Sequence, residues 1–439
     1  MGRPGRSIMT LLATNDRRNV FVGDEDDRIL ASELFDSLQA ATFDGTGITR
    51  EAYSARESLA LDIVENKARA LGLSTERDAG ANLVITLEGT EPELPFLACG
   101  SHLDSVPQGG NYDGAAGVIA GLAILAGFKA EGFRPRRSLK VFGLRGEESS
   151  RFGRAYMGSS ALLGALRPEE LDARDRDGAS LADSMAALGI DIARVRRGEC
   201  LLDPAQVAGW IELHIEQGPV LVARDLPVGV VTGIRGNLRH RAVECRGEAG
   251  HSGAVPRWLR RDAVFATAEL IGHLDRHWRT LLERGRDLVV TCGEMGTDPR
   301  EHAIARIPGT TRFSFEVRSQ NAETLETFYD IFRSECAMIS EERGVSFEFD
   351  RRVESKPALL DAGWIARLKS AAEALGLPAE EIPSGAGHDA AVFANAGIAS
   401  AMVFVRNEHG SHNPQEAMEI DDFLSGIAVM RIAIREALQ

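Results

Sequence analysis

Short apolar runs that end on a histidine or a carboxylate recur along this chain, and that repeated ending constrains the fold more than any other feature. Residues 96–100 lead into His102-Leu103-Asp104, Leu139–Leu144 into Glu147-Glu148, and residues 207–213 into His214. Asp113 stands in the glycine-rich turn Asn111-Tyr112-Asp113-Gly114, and His412 in Ser411-His412-Asn413-Pro414. Short bounded apolar runs are strand-like, and Leu83–Leu87 is another. Ala115–Ala130 has helix-compatible composition between two of these runs, while residues 27–42 and 51–71 show helical apolar spacing. Strands alternating with helices predict an α/β fold, its sheet mixed, largely parallel and covered on both faces. Open sheets of that kind carry their sites at the carboxyl ends of the strands, where most of these polar residues fall.

Three imidazoles and two carboxylates suit a pair of divalent cations, with zinc, manganese or cobalt all compatible. His102 and Asp104 share a face of an extended segment. His102 is a ligand candidate, while Asp104 would accept a hydrogen bond from an imidazole or orient a neighbour. Asp113 could bridge both cations, with Glu148 and His412 completing one site and His102 and His214 the other. Glu147 would stay unligated and take a proton from the attacking water. Each fragment alone is weak, because a lone His-x-Asp or Glu-Glu is usually a solvated polar stretch. His214, between Leu213 and Ile215, would also suit a buried core histidine, and His409 competes with His412 as the ligand. His240, His273 and His277 read as solvated.

With 439 residues the chain can bury a large core and form two domains. The β-α-β-β-α-β pattern from about residue 228 to 350 predicts a small inserted domain, dividing the chain into 1–227, 228–350 and 351–439. Its elements are strands at 228–245, 287–292, 311–317 and 345–349 and helices at 262–283 and 322–340. Residues 364–375, 401–405 and the closing helix Ile420–Leu438 return to the first domain. Fifty basic against 65 acidic residues give a net charge of −15, which disfavours nucleic acid and anionic membranes and leaves a small molecule as the expected partner. No stretch reaches membrane-span length, and residues 8–13 are too short and polar to act as a signal core behind the basic start. The five cysteines lack paired spacing and read as reduced core thiols of a cytoplasmic protein.

Several motifs together resemble the M20-type amidohydrolases. They are Gly100-Ser101-His102-Leu103-Asp104-Ser105-Val106, Gly109-Gly110-Asn111-Tyr112-Asp113-Gly114 and Glu147-Glu148-Ser149-Ser150-Arg151-Phe152, with Gly385-Ala386-Gly387-His388-Asp389-Ala390 and Ser411-His412-Asn413-Pro414 later. Glu212-Leu213-His214-Ile215-Glu216-Gln217-Gly218 narrows the likeness to the branch of N-carbamoyl-L-amino-acid hydrolases, allantoate amidohydrolases and β-ureidopropionases. The resemblance, from about residue 27 onward, implies a two-metal catalytic domain and an inserted lid that also forms a homodimer interface. The implied reaction is hydrolysis of a linear amide or ureido bond.

By the same resemblance, His251 in Gly250-His251-Ser252-Gly253 reaches a partner subunit's site and stabilises an oxyanion, and Arg318 grips a substrate carboxylate. A polar turn at His251 and an ordinary strand-end arginine at Arg318 are the plainer readings. Gln217 would contact the ureido or amide group, and Gly385, Ala386 and Gly387 would offer backbone N–H groups to an anion. One departure stands out: Ala305 occupies the place of an asparagine that usually bonds the substrate, with Arg306 or His302 as compensating candidates. The competing functional readings are an aminoacylase or peptidase of the wider family and a catalytically silent metal-binding protein.

Overall fold

The computed structural model describes residues 25–439, so the basic start and residues 8–13 lie outside the described residues. A nine-stranded sheet organises the larger domain. Across it run Ser74–Arg77, Leu83–Leu87, Leu139–Leu144, Phe96–His102, Val207–Ile215, Ser400–Val405, Val228–Ile234 and Ala358–Leu359, with Ala379–Ser384 also paired to Val228–Ile234. Four neighbouring pairs are parallel and four antiparallel. The expected sheet is therefore mixed but not largely parallel. Connection length explains this: helix Ala115–Ala130 carries the chain across from Phe96–His102 to its parallel neighbour Leu139–Leu144, whereas the tight turn after Ser74–Arg77 forces an antiparallel edge.

The centre of the sheet is buried on both faces. Along Phe96–His102, Leu97 and Cys99 enter one apolar cluster while Phe96 and Ala98 enter the other, as the two-residue strand period requires. The first cluster is capped by helices Glu25–Thr42, Ala55–Ala70, Ala115–Ala130, Ala362–Ala374 and Ile420–Leu438. The second is centred on Trp210, whose indole stacks on Phe393 at 3.9 Å. Among the described residues, no helix is long and apolar enough to cross a membrane.

The smaller domain is a six-stranded antiparallel sheet built around Gly236–Arg246 and Thr310–Ser319. Helices Ala263–Glu283 and Ala322–Arg343 pack on it and supply most of its core. Asp262 and Asn321 cap them, accepting from Val264 N at 3.1 Å and Thr324 N at 2.8 Å. The expected strand at 228–245 is two strands. Val228–Ile234 is almost wholly buried and joins the large sheet, while Gly236–Arg246 alternates between buried and exposed and joins the small one. The change from one sheet to the other thus falls at the Ile234–Gly236 junction, and Val353–Ser355 still pairs with Gly236–Arg246.

Three histidines expected in solvent are engaged. His240 is buried between Asp350 (3.0 Å) and Tyr329 (2.9 Å), and His273 and His277 share the Glu335 carboxylate at 2.6 and 2.7 Å. Helical spacing alone could not show the acceptor on the facing helix. Cys200, expected inside, is exposed.

Candidate metal and catalytic centre

The ends of Phe96–His102 and Val207–Ile215, which are neighbours in the sheet, bring His102 and His214 side by side with ring centroids 5.8 Å apart. Their Nε2 atoms face Asp113 Oδ1 at 3.5 and 3.2 Å. His214 Nδ1 donates to Ile215 O at 2.9 Å, which fixes the tautomer and makes Nε2, accepting here from Gly114 N at 3.2 Å, the unprotonated ligand atom. Gly114, following Asp113, has φ +67, and a Cβ there would lie 2.4 Å from the His102 ring. Only glycine admits both that backbone and that imidazole.

A second group meets the other Asp113 oxygen. His412 Nε2 lies 3.4 Å from Asp113 Oδ2 and 3.1 Å from Glu148 Oε1. His102, Asp113 and His214 therefore present ligand atoms within 4.8 Å of one another, as do Asp113, Glu148 and His412. Asp113 belongs to both triads. His409, the competing ligand, is exposed and lies 3.9 Å from Glu408. A third grouping, Glu212 with His214 and His388, is geometrically close. However, the Glu212 oxygens already accept from Ser101 Oγ at 2.7 Å, Ala390 N at 2.8 Å and Trp210 Nε1 at 3.3 Å, so this carboxylate is spent on the fold.

Asp104 is fully buried and organises the centre from behind. Its Oδ1 accepts from Glu147 N at 3.0 Å and its Oδ2 from Glu148 N at 2.9 Å, and it lies 3.2 Å from His102 Nδ1. Glu147 is outside both triads, with Oε2 3.9 Å from His102 Nε2. Burial pushes its carboxyl well above the ordinary range; His102 opposes the rise and Glu148 reinforces it. Burial works against protonation of His102, yet bonds to Asp104 and Asp113 hold that imidazole well above its usual value. Hydrogen bonds to Asp113 and Glu148 carry His412 to about 10. Buried carboxylates thus hold these imidazoles above their usual range, as a pocket rich in negative charge does, and divalent cations would balance that charge. The mixed nitrogen and oxygen donor set fits such ions.

Several residues that the sequence did not single out hold this centre in register. Arg50, completely buried, donates through Nε to Leu103 O at 2.8 Å and through Nη1 to Asn111 Oδ1 at 3.1 Å, tying the His102 segment to the Asp113 turn. Glu416 accepts from Tyr112 N at 2.8 Å and Asp113 N at 3.2 Å, and Ser411 Oγ lies within hydrogen-bond distance of both the Asp113 and the Glu416 carboxylates. Gln217 and His412 have φ of 60 and 61, left-handed values that cost strain in non-glycine residues and concentrate here. An interior arginine and a distant glutamate carry no local signature of such a role.

The residues expected to meet substrate divide into two groups. Gln217 Nε2 donates to Asp113 Oδ2 at 2.8 Å, leaving its Oε1 buried without a partner. Arg318 reaches from the small domain to the large one, donating through Nη1 to Gly385 O at 3.0 Å. Ala386 O accepts from Ser384 Oγ at 2.8 Å, and Gly387 follows in the same loop. His251 is exposed on the small domain, on the two-stranded ribbon Gly250–His251 with Arg306–Ile307, and joins neither triad. Ala305 lies exposed beside that ribbon.

Known proteins share this arrangement of sequence and fold. Residues 98–436 match the profile of peptidase family M20/M25/M40. The chain is 35% identical over 385 residues to the N-carbamoyl-L-amino acid amidohydrolase of Geobacillus stearothermophilus, covering 88% of this chain and 92% of that protein. It is 31% identical over 391 residues to the allantoate amidohydrolase of Escherichia coli strain K12, with the same coverage, 88% and 92%. The crystal structure of a hydantoinase/carbamoylase family amidase from Burkholderia multivorans superposes with a TM-score of 0.85 at 26% identity, over 96% of this chain and 99% of that one. With its profile matched over most of its length and full-length relatives above 30% identity, the chain belongs to peptidase family M20/M25/M40.

Proposed function

We propose that this chain is a metal-dependent hydrolase of linear C–N bonds, acting on N-carbamoyl amino acids or related ureido or amide substrates that carry a carboxylate. The observation that supports this most is the shared Asp113, common to two ligand triads, with an unligated Glu147 alongside. Relatives named as N-carbamoyl amino acid and allantoate amidohydrolases point to the same class of bond. Divalent cations held by His102, Asp113 and His214 and by Asp113, Glu148 and His412 would supply Lewis-acid polarisation of the scissile carbonyl and a lowered water pKa.

The chain's own residues do the rest. Glu147 takes a proton from the attacking water and passes it to the leaving nitrogen. Asp104 holds the backbone of Glu147 and Glu148 so that one carboxylate serves as base while its neighbour serves as ligand. Gln217 Oε1, the buried acceptor without a partner, receives a substrate N–H. Arg318 binds the carboxylate beside the Gly385–Gly387 loop. His251 acts across a homodimer, at the site of a second copy, and supplies a donor to the developing oxyanion. Exposed Trp258, Leu259 and Phe265 on the small domain suit burial in such a dimer. A carbamoyl substrate would yield amine, carbon dioxide and ammonia.

The test is a screen of N-carbamoyl amino acids, allantoate and N-acyl amino acids with added zinc, manganese or cobalt. Release of ammonia from the first two classes is expected. Turnover confined to N-acyl amino acids would overturn the ureido reading, and no turnover with any reloaded metal would overturn hydrolysis itself.

A further inference from the structure

One hydrogen-bond donor beside the candidate base has no role in the site described above: the hydroxyl of Tyr156. Tyr156 follows the Glu147-Glu148 segment on a turn with φ +58, and its N–H donates to Glu147 O at 2.8 Å. The phenol is thus hung from the same turn as the candidate base. At its other end the hydroxyl meets the Gly385–Gly387 loop. A Cβ added at Gly387 would lie 1.6 Å from Tyr156 Oη, so that oxygen occupies the space any side chain at 387 would need. Gly385, two residues earlier, is the residue Arg318 reaches with Nη1. Tyrosine hydroxyl and guanidinium therefore converge on one short loop.

The hydroxyl is not consumed by the fold. Backbone atoms of Tyr156 make hydrogen bonds, but none among the described residues uses Oη, and the residue is only half-buried. Burial, with Glu147 and Asp389 nearby, pushes the phenol above its usual range, Arg154 only partly offsetting them. It stays an O–H donor throughout the neutral range. A left-handed backbone at a bulky residue costs free energy, and phenylalanine would pack the ring equally well. The polar atom itself calls for a ligand.

We propose that Tyr156 is a specificity-determining residue whose hydroxyl donates to the substrate carboxylate at the Gly385–Gly387 loop, together with Arg318. Only the identity of the ligand rests on the C–N hydrolase reading; the converging donors do not. The probe is N-carbamoylglycine, titrated calorimetrically into zinc-loaded Glu147→Gln protein with and without Tyr156→Phe. About 10-fold or greater weakening by Tyr156→Phe is expected, the value of a lost hydrogen bond to a charged group. N-carbamoylglycinamide, which lacks the carboxylate, should bind both proteins equally. Zinc content and melting temperature of the two should agree, which separates a lost contact from a damaged fold. Equal affinity for N-carbamoylglycine, equal weakening for the amide, or no binding of the acid overturns the proposal. Ammonia release by the wild-type enzyme is scored separately: its absence sinks the hydrolase reading, whereas intact hydrolysis with unchanged affinity sinks only the role of Tyr156.

Discussion

Two adjacent glutamates do different work because one buried aspartate holds their backbone. Asp104 takes the N–H of both, which sends Glu148 toward His412 and leaves Glu147 beside His102 without joining a triad. Replacing Glu147 by glutamine keeps the volume and removes the base, so kcat should fall roughly 10²–10⁴-fold. Metal content by atomic emission should be retained; near-normal turnover would refute the assignment. Asp104→Ala removes the anchor of His102 and of both glutamates at once. Zinc affinity, measured by chelator competition, should weaken about 10–100-fold, as for other groups that orient a ligand from behind. The His-x-Asp pair was legible in the sequence because residues two apart on an extended segment share a face, and the Glu-Glu pair because it closes an apolar run. That Asp104 accepts from the Glu147 and Glu148 amides was not, because 43 and 44 residues separate the partners.

Elements are locked together behind the site by buried charge. Glu57, on helix Ala55–Ala70, accepts from Arg145 Nη1 at 2.5 Å, from Gly146 N at 2.8 Å and from Tyr53 N at 2.8 Å. This network joins the helix to the end of Leu139–Leu144, immediately before Glu147. Both side chains are nearly inaccessible, so removing one partner strands the other charge. Arg145→Met should destabilise by about 3–5 kcal/mol, read from denaturant midpoints, with a parallel loss of turnover. A double change to apolar residues should recover part of that stability, because the desolvation cost disappears with the pair. Helix and strand positions such as Ala115–Ala130 and Leu83–Leu87 followed from apolar spacing. The strands Ser74–Arg77 and Ala379–Ser384 did not, since both are short and polar and their pairing partners alone define them.

At the scale of the molecule, cations and a second copy would each add what one chain lacks. Chelation should abolish turnover and lower the melting temperature, with zinc, manganese or cobalt restoring both. Saturation at 1,000 times Kd adds about 4 kcal/mol to stability, a shift that calorimetry resolves. If the melting temperature is insensitive to chelator and metal, the carboxylate-rich pocket does not depend on cations. For the proposed homodimer, in which His251 would act on the partner, Trp258→Arg with Phe265→Arg should shift sedimentation from dimer to monomer and depress turnover. A monomeric parent protein with full activity would overturn that arrangement.

What the sequence determined by itself was chemistry and period: which residue types offer donor atoms, and which runs suit strands or helices. These are local properties, set by side-chain type and by spacing of 2 or about 3.6 residues. Tertiary structure decided the rest. It split one apolar stretch at Ile234–Gly236 between two sheets and turned half of the strand pairs of the nine-stranded sheet antiparallel. It also buried Arg50 and Glu416 behind Asp113, and set the Tyr156 hydroxyl against Gly387. Each of these depends on which distant segment arrives alongside. No residue carries that information alone, because burial and pairing are properties of both surfaces that meet.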